Sequence, residues 1–197
     1  MTLPALEDPS RPLPHARLGQ PPEDRTDEAS TDPPPGQPLP ATAAPGSAGW
    51  LAPVLLAGTL AATLSGAVLM WRSRAETGHA SAAVNAPSQW LWGRGAIEAN
   101  DVDARHTLLG TAVHWLSSCF WAVGFEWLRR RHPQDTPLTA LRDGAATAGL
   151  AAFTDLALVP ERLTPGFEKR LSRRSLGGVY ATFAVGLAVA ALLSRRR

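Results

Sequence analysis

Apolar residues gather into four long runs, each closed by charge or proline. Residues 50–71, WLAPVLLAGTLAATLSGAVLMW, hold no charge over 22 positions and carry a tryptophan at each end. At about 1.5 Å of rise per residue, a helix of this length covers roughly 33 Å, slightly more than the hydrocarbon core of a bilayer. Trp50 and Trp71 fall at the two headgroup levels, and Arg72 and Arg74 mark the exit into water. A second run, 107–128, is closed by Arg129, Arg130 and Arg131. The third, 138–159, opens on Thr136 and Pro137 as cap and first-turn pair and stops at Pro160. Arg142 and Asp143 lie in its first two turns, where they reach the interface, and Asp155 lies deeper. The rest is mostly alanine and glycine, so this helix needs its neighbours to stay inserted. A fourth run, 176–193, ends in Arg195, Arg196 and Arg197. The expected fold is all-α: a polytopic membrane protein with four transmembrane helices in a membrane domain, residues 50–197.

Composition changes the picture mainly at the front of the chain. The mean hydropathy of −0.07 resembles that of a soluble protein because it averages two unlike parts. Residues 1–49 hold 12 of the 18 prolines, three arginines and seven acids, a net −4, whereas residues 50–197 carry +6. Such a proline-rich, acidic stretch cannot bury enough apolar surface to offset its ordering entropy, and a disordered tail is expected. It lacks the basic start of a secretory signal, so the first span reads as a signal anchor. One lysine, Lys169, stands against 18 arginines, a bias that points to a GC-rich bacterial genome rather than to nucleic-acid binding. With a single cysteine, Cys119, inside an apolar run, neither an intrachain disulfide nor a cysteine-based zinc site can form. Loop charge leaves the orientation open. Six basic residues flank the tail's side and nine the opposite side, favouring an external tail, yet the tail is long to translocate.

Small residues recur at every fourth position: Gly58, Ala62 and Gly66 in the first span, and Gly178, Thr182, Gly186 and Ala190 in the fourth. Such ridges allow close helix packing, within the chain or between copies.

Polar residues inside the spans are the candidates for chemistry, because each is costly there. Counting helical rise from the side of the long loop puts His114, Asp155 and Tyr180 about 6–10 Å below one surface. If they face inward, they form a His–Asp–Tyr cluster in which Asp155 orients the imidazole. The plainer alternative pairs Asp155 with Arg162 and His114 with Ser118, as structural polar contacts. Glu126, beside the triple arginine, reads as an interfacial charge pair. His79, His106 and His132 do not have metal-ligand spacing, and the GRG at 93–95 lacks the preceding strand that a phosphate loop needs. No cofactor is expected.

Two loop segments stand out on that same side. NAPSQWLWG, 85–93, sets Trp90 and Trp92 after Pro87 in a stretch too short to span, which suggests an interfacial or re-entrant segment. RLTPGFEKRLS, 162–172, has Thr164 and Pro165 as a helix start, with Phe167 and Leu171 opposed by Lys169, Arg170, Arg173 and Arg174. A short basic amphipathic helix lying on anionic headgroups is expected there. Together the two segments resemble recurring segments of an uncharacterised family of small bacterial integral membrane proteins. The resemblance covers residues 50–197; it implies a bacterial inner membrane and nothing about mechanism.

The expected function is that of a non-enzymatic, multi-pass inner-membrane component or assembly partner, in contact with lipid and associating with itself or another membrane protein. The alternatives are a small proton- or ion-linked transporter or channel component using His114 and Asp155, and a membrane-embedded enzyme acting on lipid.

Overall fold

The computed structural model describes residues 48–132 and 136–194. The expected tail, 1–49, falls outside them except for Ala48 and Gly49, which open the first helix. Among the described residues every regular element is helical. Long helices α1 (Ala48–Thr77), α4 (Leu109–Arg129), α5 (Pro137–Phe153) and α6 (Arg173–Leu193) run up and down as a bundle. Two short helices, α2 (Ser81–Asn85) and α3 (Gln89–Trp92), lie in the loop after α1. A π-turn, Ala104–Leu108, leads into α4, and another, Thr154–Leu158, continues α5.

Three helical segments are long and apolar enough to cross a membrane: Gly49–Thr77, Ala104–Arg129 and Arg173–Leu193. The third of the four expected spans, 138–159, is therefore a correction in kind. Residues 137–158 do form a helix packed along α6. Arg142, Asp143, Asp155 and the alanine–glycine filling keep it below the apolarity of an independent span. Its start is as expected: Thr136 accepts from the Thr139 amide at 3.1 Å, with Pro137 in the first turn.

Two other boundaries move. The first helix runs past Trp71 to Thr77 and stops at Gly78, whose φ of +81° lies in the left-handed region. The last begins at Arg173, because α1 caps it. Glu76 Oε2 accepts from the Ser172 amide at 2.6 Å, and its other oxygen accepts from the Ser172 and Ser175 hydroxyls. A carboxylate there also meets the positive end of the α6 dipole.

Close packing follows the small residues. A Cβ on Gly58 would lie 2.6 Å from Cys119 Sγ on α4; one on Gly186 would lie 2.5 Å from Ala61 Cα on α1. Gly144 of α5 stands equally close to the Ala184 carbonyl of α6. Part of each ridge is thus filled inside the chain, α1 against α4 at Gly58 and α6 against α1 at Gly186.

Two apolar clusters result. The lower one, around Ala57, Ala61, Ala122, Phe125 and Leu187, fills the half of the bundle nearest the start of α1. The upper one joins Leu69, Leu176 and Val179 to the loop residues Ala86, Phe167 and Leu171. Tryptophans and arginines pair at both ends: Arg130 over Trp50 at 4.1 Å and Arg131 over Trp127 at 3.7 Å below, Arg105 over Trp92 at 4.5 Å above. Amphipathic rings with their cations at two levels suit the two headgroup regions of a bilayer.

A candidate binding cavity between four helices

Between the two apolar clusters lies a partly open cavity of about 60 Å³, enough for a few water-sized groups. His114 from α4, Asp155 from the π-turn after α5 and Tyr180 from α6 all line it, so the three residues matched by helical depth share one site. They do not form the expected relay. Asp155 Oδ2 accepts from the Tyr180 hydroxyl at 2.9 Å, whereas the His114 imidazole meets Ser65 of α1, Nε2 to Oγ at 3.1 Å. No hydrogen bond joins the two pairs among the described residues.

Of the plainer pairings, that of Asp155 with Arg162 is corrected and that of His114 with Ser118 is present through the backbone. Asp155 bonds Tyr180 rather than Arg162. Ser118 donates to the His114 backbone carbonyl at 2.8 Å and leaves the ring to Ser65. Ser65 in turn donates to the Ala61 carbonyl at 2.7 Å, one helical turn back. Its proton is thereby engaged, so Ser65 accepts from His114 Nε2–H, and the imidazole is not placed to take a proton from this serine.

Glu126 does pair with an arginine, Arg129, with Nε and a terminal nitrogen at 2.8–3.2 Å from its carboxylate oxygens, and its side chain is fully buried. His132 Nε2 lies 3.1 Å from Asp143 Oδ2 at the same end of the bundle. Among the described residues no three His, Cys, Asp or Glu side chains converge to hold a metal ion.

The loops roof the cavity. NAPSQ is a buried polar hub rather than a membrane-surface strip. Asn85 donates to the Ala99 and Asp101 carbonyls and accepts from Thr107. Gln89 donates to the Thr164 carbonyl at 2.7 Å. Trp90 and Trp92 do lie outward, each with its indole N–H satisfied by a backbone carbonyl, Thr164 and Arg105 respectively.

The amphipathic helix expected at 162–172 is absent. Two single 3₁₀ turns, Glu161–Leu163 and Phe167–Lys169, flank Gly166, whose φ is +83°. Pro165 followed by a glycine at that φ is a type II turn, which a helix cannot contain. Phe167 and Leu171 share a buried face, as the apolar spacing implied. The cations are dispersed: Lys169 pairs with Glu161, Arg170 bonds Asn100, and Arg173 and Arg174 open α6 as exposed residues.

Sequence reasoning missed Ser65, Ser117, Trp121 and Phe183, which also line the walls, and Glu168, whose second carboxylate oxygen is buried beside them without a hydrogen-bond partner. Ser65 carried a readable signal, a hydroxyl in an apolar span at the depth of His114. Glu168 did not, because only the turn at Gly166 brings it inward. Compared with protein-family models, curated proteins and solved structures, the chain matches none.

Proposed function

We propose that the protein is a non-enzymatic, multi-pass component of a bacterial inner membrane that works by binding. The observation carrying this reading is the tight apolar packing beneath the cavity. Below it, Ala57, Ala61, Ala122, Phe125 and Leu187 are fully buried against one another, and α1 packs closely on α4 at Gly58 and on α6 at Gly186. This favours binding over conduction by a single chain. The Ser65 proton, engaged by Ala61, likewise argues against a serine–histidine nucleophile.

Reconstitution in liposomes tests the reading. With the protein present, vesicles are expected to hold a proton gradient as well as empty ones, and Asp155→Asn to alter thermal stability without altering leak. A proton flux that Asp155→Asn abolishes would overturn it in favour of an ion-linked transporter.

A further inference from the structure

Asp155 lines the cavity and Glu168 directly follows the lining residue Phe167, and neither carboxylate has a cation partner among the described residues. Asp155 has one hydrogen-bond partner, the Tyr180 hydroxyl, and Glu168 has one, the Thr164 hydroxyl at 2.7 Å. Neither forms an ion pair among the described residues, whereas Glu161, Glu126 and Asp143 all do. The second oxygen of Glu168 is buried with no hydrogen-bond partner at all. Partly buried carboxylates without a cation are costly to keep charged, and a cation bound beside them relieves that cost.

The walls say which cation. Trp90, Trp121, Phe167, Tyr180 and Phe183 line the cavity, with the Phe167 and Tyr180 rings 6.5 Å apart between centroids and tilted by 58°. Ring faces attract organic ammonium groups while offering no lone pairs to a bare metal ion, which prefers an oxygen shell. The site also lies beneath the outward-facing Trp90 and Trp92 indoles and beside the end of α5 and the π-turn that continues it, where Phe153, Leu156 and Leu158 are exposed. An alkylammonium tethered to a lipid reaches such a place from the bilayer without crossing water.

We infer that the cavity binds the ammonium of an aminolipid headgroup, held by Asp155 and Glu168 against the aromatic wall. This rests on the binding reading above and names its ligand class.

The test uses the full chain in nanodiscs containing equal amounts of phosphatidylethanolamine, which carries a primary ammonium, and phosphatidylglycerol, which carries none. Native mass spectrometry during stepwise delipidation is expected to find phosphatidylethanolamine as the last lipid retained. Retention should fall about tenfold or more in Asp155→Asn. Glu168→Gln keeps the acceptor for Thr164 and gives the same direction in a variant whose roof is intact. Ethanolammonium chloride added to protein in phosphatidylglycerol alone separates the sources. A rise in Tm seen in wild type and absent in Asp155→Asn means that the ammonium suffices, and its absence alongside phosphatidylethanolamine retention means that the whole lipid is needed. Equal retention of the two lipids by wild type, or undiminished phosphatidylethanolamine retention by both folded variants, overturns the inference. Conversion of the retained lipid to a new mass would instead sink the non-enzymatic reading, so the two failures are distinct.

Discussion

Tyr180 of α6 donates to Asp155 Oδ2 at 2.9 Å and so ties the last turn of the α5 segment to the neighbouring helix. Asp155 has no other hydrogen-bond partner among the described residues. Tyr180→Phe therefore strands a carboxylate rather than merely deleting a contact. A loss of about 1–3 kcal/mol is expected, read as a lower Tm in detergent. Asp155→Asn retains an acceptor oxygen and should cost less. In the double variant the two effects should be far from additive, as expected for a directly bonded pair.

Gly186→Ala places a methyl 2.5 Å from Ala61 Cα and 2.9 Å from the Leu60 carbonyl, both backbone atoms of α1. Neither helix can give locally, so α1 and α6 must separate, at a cost of about 1–3 kcal/mol. Gly177→Ala, on the same helix, meets nothing within 4 Å and should be neutral or stabilising by up to about 1 kcal/mol. Thermal melts of the two variants side by side check this. Equal Tm values would mean that the close approach does not hold the bundle.

At Gly166 a side chain faces two obstacles. The backbone has φ +83°, and a Cβ would lie 2.8 Å from Gln89 Nε2 and 2.9 Å from the Ala86 carbonyl. Gly166→Ala should detach the 161–171 loop from the NAPSQ hub without melting the bundle below. Limited trypsinolysis is expected to cut after Arg162, Lys169 or Arg170 severalfold faster in the variant, with an unchanged helical circular-dichroism signal.

Acid should loosen the same roof. The Lys169 ammonium, with Arg94 beside it, holds the Glu161 carboxyl below the usual carboxylate range, and the His106 side chain and amide do the same for Asp103. A depressed folded pKa contributes stability that is present at neutral pH and is lost as pH falls through the depressed value. Tryptophan emission should shift to longer wavelength between about pH 4 and pH 2, and the shift should shrink in Glu161→Gln. An emission spectrum unchanged over that range, in a protein that stays folded, would show that these pairs do not secure the loops.

Helical arithmetic recovered the level shared by His114, Asp155 and Tyr180 because depth along a span depends only on residue count. What lay beyond it was rotation about each helix axis. Depth alone cannot say that His114 turns to Ser65 while Asp155 turns to Tyr180, since that depends on which face each helix buries. The spans were legible for the same reason, and α5 was the exception because its apolarity is shared with neighbours rather than carried alone. In 162–172 the alternation of Phe167 and Leu171 correctly marked a buried face. The turn at Pro165–Gly166 overrode the helix, and the Pro–Gly pair was the signal that could have shown it. The polar hub at Asn85 and Gln89 was hidden by its aromatic neighbours, Trp90 and Trp92, which drew the reading towards the membrane surface.

The first helix packs most extensively against the last of the four. Ala57 and Ala61 are sealed by α6 at Gly186, and Glu76 finds its hydroxyl partners only at the start of α6. During synthesis α1 therefore enters the bilayer long before its principal neighbour exists. It must wait there with only part of its packing surface covered, by α4 at Gly58, while the weakly apolar α5 follows. The bundle closes late, and until then α5, with Arg142 and Asp143 inside it and Asp155 just beyond, is the segment most exposed to loss from the membrane.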